Sequence, residues 1–159
     1  MVKKRRANKT CLLYGEGGRE KIFFNFLIKS RKFKSEFPQW VVSVDNACGQ
    51  SCGDVLKKCI NITSEREYDL VLCFIDTDKL YEDFPRGHKK VKGQLEKKAS
   101  KYNINIVWQE KNHEDELCRA TGGKVCSKPG MKGRLKKHSD CVLRSGFTKN
   151  IFKKFRDLS

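Results

Sequence analysis

Apolar residues follow two rhythms along this chain of 159 residues. In four short runs they are nearly continuous: TCLLYGE (10–16), QWVVSVDN (39–46), EYDLVLCFIDTD (67–78) and INIVWQE (104–110). Between the runs they recur at steps of three and four. GREKIFFNFLIKSRKF (18–33) puts Ile22, Phe23, Phe26 and Leu27 on one helical face, and SCGDVLKKCINI (51–62) does the same with Val55, Leu56 and Cys59. GHKKVKGQLEKKASKYN (87–103) carries a narrow stripe of Val91, Leu95 and Ala99, and EDELCRAT (114–121) is a short helix stopped by Gly122 and Gly123. The third run is too continuous for a sheet with one wet face, so it reads as a central strand covered on both sides. This alternation predicts an α/β sandwich: a mostly parallel sheet of about four strands, right-handed crossovers, and helices on both faces.

The segments around that core are basic. Residues 1–9 form a basic N-terminal arm, 10–123 the α/β domain, and 124–159 a basic C-terminal extension that opens as a Gly/Pro loop and ends in one or two helices. From Ser127 to Ser159 ten Lys and Arg face two acids, a net of +8 within a chain total of +16. A field of that sign attracts polyanions, and DNA or RNA is the expected partner ahead of a merely solvated surface. In the extension, Phe147, Phe152 and Phe155 could stack on bases. The three-residue spacing of Phe152 and Phe155 reads instead as a helix packing face.

No window approaches the ~18 uninterrupted apolar residues of a membrane span. The start MVKKRR is followed only by CLLY before Gly15, which is no export signal, so a cytoplasmic setting with free thiols is expected for the eight cysteines. Cys11, Cys59 and Cys73 lie in apolar runs and read as small buried hydrophobes. Cys118, Cys126, His138 and Cys141 do not fit a compact knuckle, and Cys48 with Cys52 lacks a partner pair, so zinc is not expected.

The acids change the picture. Two predicted strands end in carboxylates, the first at Glu16 and the third at Asp76 and Asp78. In a parallel sheet, ligands bind beyond the carboxyl ends of the strands. Two residues apart in an extended chain, Asp76 and Asp78 would face one point. If the first and third strands are neighbours, Glu16 joins them, and Glu20 leans back from the next helix. Each acid taken singly is a common helix cap or turn residue. Together they form a hard-oxygen ligand set for Mg²⁺ or Mn²⁺. GEGGRE lacks the third glycine of a dinucleotide fingerprint and has no Gly-Lys-Ser/Thr, which disfavours nicotinamide enzymes and P-loop nucleotide triphosphatases.

A strand ending in Glu-Gly, a second Glu four residues on, a helix with a Phe pair, and a later strand ending in Asp-x-Asp resembles the Toprim domain. YGEGGREKIFF and CFIDTDK carry the resemblance, which spans about residues 10–120 and is nearest to the small RloB-like and OLD-type Toprim proteins of bacterial defence systems. It implies a Mg²⁺- or Mn²⁺-dependent nuclease with two metal ions. Glu16 would be a metal ligand or general acid/base, Asp76 and Asp78 the metal-binding pair, and Glu20 the second acid of the nuclease subgroup. A further metal-binding acid after the fourth strand would be Glu114, with Asp115 as its rival, although NHEDELC lacks the apolar neighbours of the family pattern. An ATPase partner protein is compatible with this resemblance.

Cations for the nucleic acid would come from Lys79 beside the acids, from His88, Lys89 and Lys90 in the following loop, and from Lys132, Arg134, Lys136 and Lys137 in the extension. Two other functions remain in view. One is a non-catalytic nucleic-acid-binding subunit. The other is a primase- or topoisomerase-type fragment, disfavoured because no Tyr has a nucleophile context and there is no room for strand-gating domains.

Overall fold

All seven residues of Leu70–Asp76 are buried, as a strand covered on both faces requires. The computed structural model describes residues 8–48, 51–110, 113–124 and 130–158, with the side chains of 113–115 outside that description. Among the described residues, the strands are β1 (Lys9–Gly15), β2 (Trp40–Asn46), β3 (Leu70–Asp76) and β4 (Asn105–Gln109). The helices are α1 (Gly18–Lys29), α2 (Arg31–Glu36), α3 (Cys52–Glu65), α4 (Thr77–Asp83), α5 (His88–Lys101), α6 (His113–Ala120), α7 (Met131–Lys137), α8 (Ser139–Arg144) and α9 (Gly146–Asp157). The sheet has the order β2-β1-β3-β4 and is parallel throughout. The expected α/β sandwich with a four-stranded parallel sheet is therefore the observed fold.

Alternation along the two central strands sorts the core into two layers. Cys11, Leu13, Leu70, Leu72 and Phe74 join an aromatic cluster with Phe23, Phe24, Phe33 and Phe37 of the α1–α2 region. Leu12, Tyr14, Val71, Cys73 and Ile75 face the other way, onto Val55, Leu56 and Cys59 of α3 and Ala99 of α5. Each helix layer buries one face of the sheet, and that burial supplies most of the stability of such short helices.

The basic C-terminal segment belongs to the aromatic layer. Met131, Leu135, Val142, Ile151, Phe152 and Phe155 are all buried in it. Phe155 meets Phe33 and Trp40 edge-on at 5.1 Å each, and Phe147 stacks on Phe23 at 5.5 Å. Phe152 and Phe155 form the packing face their spacing predicted. The expected boundary at 123/124 runs between two segments that share one hydrophobic cluster.

Three local expectations are corrected. The helix over 18–33 breaks at Ser30, whose hydroxyl accepts the Phe33 N–H at 3.2 Å and caps a separate α2. The chain after Asp76 does not stay extended, because α4 begins at once with Thr77. Finally, Cys11, Cys48, Cys52, Cys59, Cys73 and Cys141 are free thiols, but Cys118 is disulfide-bonded. Sequence spacing carries no information on the Cβ geometry that pairing demands. Among the described residues no helix is long and apolar enough to cross a membrane.

Candidate metal centre

The chain leaves β1 for β2 on one side of the sheet, then crosses to β3 on the other. This reversal sets the carboxyl ends of β1 and β3 side by side, the usual ligand position in a doubly wound sheet. Glu16 follows the last residue of β1, and Asp76 is the last residue of β3. The alternation that turns Leu72 and Phe74 toward the α1 layer also turns Asp76 toward it, and Glu20 in the first turn of α1 completes the group. One carboxylate oxygen from each of Glu16, Glu20 and Asp76 lies within 4.8 Å of the others.

Gly15 makes this approach possible. A Cβ built on it would lie 2.5 Å from Cβ and 2.9 Å from Cγ of Glu20, and 3.3 Å from the Phe24 ring. The Glu20 stem crosses the bare backbone of Gly15, so no other residue leaves room for it. Glu20 Oε2 accepts the Gly17 N–H at 3.2 Å, so this acid also caps α1, as its plainer reading required.

The three acids are 6%, 4% and 8% exposed, in chain order. Two full charges at such a separation repel by about 3 kcal/mol at an effective dielectric near ~20, and each also loses its hydration. The carboxyls respond by holding protons. Burial pushes Glu16 up to about 9, with further upward contributions from its contact with Asp76 and from the charge of Glu20. Burial also raises Glu20 and Asp76. Lys79 lowers both Glu16 and Asp76, so its ammonium is felt at the group, as its place in the sequence suggested.

Gln109, absent from the expected site, is a member of it. It ends β4, stands opposite Asp76 in the parallel register, and is fully buried. Its amide Nε2 donates to Asp76 Oδ1 at 2.8 Å. The available signal was a polar residue closing an apolar strand, INIVWQE, at the same sheet edge as Asp76. Glu16 Oε1, by contrast, is buried with no hydrogen-bond partner.

The other predicted residues divide. Asp78 is outside the three-carboxylate group: it stands in the first turn of α4, where the two-residue alternation that would have aimed it beside Asp76 no longer applies. Its charge still raises Asp76. His88 opens α5 and meets Tyr81 edge-on at 4.7 Å, while Lys89 and Lys90 are exposed beside it. A helix that connects parallel β3 to β4 must start at their carboxyl edge, so these three share the end of the sheet with the acids. Lys132, Lys136 and Lys137 are exposed on α7, with Arg134 half-buried among them. That helix packs on α1. Glu114 and Asp115 fall in α6, and their side chains lie outside the described residues.

Compared with protein-family models, curated proteins and solved structures, the chain matches none.

Proposed function

We propose that the chain is a divalent-metal-dependent nuclease acting on DNA or RNA, with Glu16, Glu20 and Asp76 as its ligand set. The observation that carries the reading is the Glu16 carboxyl, which meets Asp76 yet leaves its Oε1 buried without a hydrogen-bond partner, within a set of hard oxygens at the sheet's switch point. A buried acceptor with nothing to accept costs about 1–3 kcal/mol, and such a group has a use when a cation can meet it. The donor set suits Mg²⁺ or Mn²⁺, which favour a few carboxylates, water and phosphate oxygens over nitrogen or sulfur. Bound there, the ion would neutralise the acids and supply an activated water for attack on a phosphodiester.

The chain's own residues do the rest. Gln109 fixes one oxygen of Asp76, and the Gly17 N–H fixes one oxygen of Glu20, so both carboxylates are held before any ligand arrives. The Lys79 ammonium offsets the local negative charge and offers a contact for a phosphate oxygen. The net charge of +16 concentrates polyanions around the molecule. The motif resemblance to Toprim nucleases points the same way, and with it a cytoplasmic defence role that could involve an ATPase partner. Asp78 is the member whose position departs from a simple Asp-x-Asp pair, and in this reading it acts through its charge.

The test is cleavage of plasmid DNA and of a structured RNA by the purified protein with Mg²⁺, Mn²⁺, Ca²⁺ or a chelator. Mg²⁺- or Mn²⁺-dependent cutting that falls by about a thousandfold or more in Asp76→Ala and Glu16→Gln is expected, in line with loss of a principal electrostatic group. Binding without cutting in every metal would leave a nucleic-acid-binding subunit in place of a nuclease.

A further inference from the structure

We infer that the groove between α1 and α7 is a path for a single nucleic-acid strand. This rests on the nucleic-acid reading above and adds to it a substrate class and a set of residues. The groove has a volume of about 470 Å³. Ile22 and Phe26 form its accessible apolar floor over the fully buried Leu135, and Lys29, Lys132 and Lys136 its rim, with Asn25 and Ser30 as polar lining. It contains no carboxylate, and none of the three rim lysines makes an ion pair within the described residues. In a chain with nineteen acids, a cationic rim left uncompensated around exposed apolar surface calls for an anionic occupant with apolar faces.

A single strand has that chemistry. Its phosphates suit the lysines, and its unpaired bases can lie on Phe26 and Ile22, with Asn25 in reach of base edges. A duplex hides its base faces and would leave the floor empty. The groove runs along α1 from Ile22 to Lys29, on a side of the helix other than the buried one that carries Glu20. Seven helical rises span roughly 10 Å, the length of about three stacked nucleotides. Past Ser30 a second depression of about 430 Å³ shares Phe26 and adds Arg31, Lys32 and Arg144, with Asp140 its one acid. The cationic track therefore continues past the end of α1.

The experiment is fluorescence anisotropy with a labelled twelve-residue oligo-dT and with a twelve-base-pair duplex, in chelator so that metal plays no part. Tighter binding of the single strand is expected. The triple variant Lys29→Glu/Lys132→Glu/Lys136→Glu should weaken it by at least tenfold and flatten the log–log salt slope by about two, near ~0.7 per lost contact. Ile22→Ala, at an exposed position, should lower affinity a few-fold at an unchanged slope. Cooperative melts of each variant would exclude unfolding as the cause. Equal affinities and slopes, or a preference for duplex, would overturn the path, and the groove would then suit an acidic helix of a protein partner. Cleavage is scored separately: a wild type that binds oligo-dT through these residues yet never cuts leaves the path standing and removes the nuclease.

Discussion

The acidic crevice and the basic C-terminal helices treat charge in opposite ways. Around Glu16, Glu20 and Asp76 the charged ends are buried and only partly satisfied, while the surroundings are rigid strand ends. In α7 to α9 the charged ends stand in water, and the apolar halves of the same helices are buried against α1, α2 and the sheet. Burying a carboxylate works against the fold, whereas burying Phe152 and Phe155 supports it. The difference teaches that net charge is a poor guide to where function lies. The strongly basic segment is first of all part of the core, and the small acidic group is the costlier and more informative feature.

The largest effect that would break this comparison is removal of the C-terminal helices. Truncation before Gly130 deletes Met131, Leu135, Val142, Ile151, Phe152 and Phe155 from the aromatic layer. The shortened chain should show no cooperative melt by circular dichroism. A folded, merely weaker-binding truncation would show that the helices are a separable module and not part of the core. Phe155→Ala should alone cost about 3–5 kcal/mol, read as a fall of roughly 10 °C or more in Tm.

Next comes Gly15→Ala. The new methyl cannot coexist with the Glu20 stem, so α1 must shift or Glu20 must leave the group. A destabilisation of about 1–3 kcal/mol is expected, together with loss of any Mn²⁺-induced rise in Tm. An unchanged metal response would show that Glu20 is not needed as a ligand.

Glu16→Gln should act in the opposite direction on the metal-free protein. It removes a buried charge while keeping the shape, so the apo Tm at pH 8–9 should rise by a few degrees, and the metal response should vanish. The pH dependence sharpens this. Glu16 holds its proton up to about 9 in the folded chain but releases it near its ordinary 4.5 when unfolded. Between those values the folded state binds the extra proton, so this group's stabilising contribution is complete below pH 4.5 and is lost as pH rises toward 9. Metal binds the ionised acids, so the Mg²⁺ increment in Tm should be larger at pH 9 than at pH 6. The Gln variant should show a flatter profile in differential scanning fluorimetry. The smallest effect belongs to Lys137→Ala, an exposed cation whose loss should change stability by no more than about 0.5 kcal/mol.

Much of the frame was legible along the chain. The unbroken apolar run at Leu70–Asp76 identified a central strand because a residue with no wet side needs no alternation. The GREKIFFNFL period identified α1, although its buried face carries Phe23, Phe24 and Leu27 and leaves the expected Ile22 exposed, and the two strand-end acids, Glu16 and Asp76, followed from the rule that parallel sheets bind at their carboxyl edge. Glu20 and Lys79 were near enough in sequence to be drawn in with them.

What lay beyond the sequence depended on where segments separated in the chain meet. Strand order alone placed Gln109 opposite Asp76, thirty-three residues earlier, and so revealed the hydrogen bond that holds it. The backbone turn at Thr77 moved Asp78 out of line, since an Asp-x-Asp pattern reads alike in a strand and in a first helical turn. The three-residue spacing of Phe152 and Phe155 marked a packing face in the basic tail, but not the surface it meets. The assembled chain decided that this surface is the aromatic layer of Phe33, Phe37 and Trp40. Local pattern determined which elements form, because period and capping are short-range. The sheet order and the two helix layers decided which charges share a crevice, because burial and proximity belong to the assembled chain.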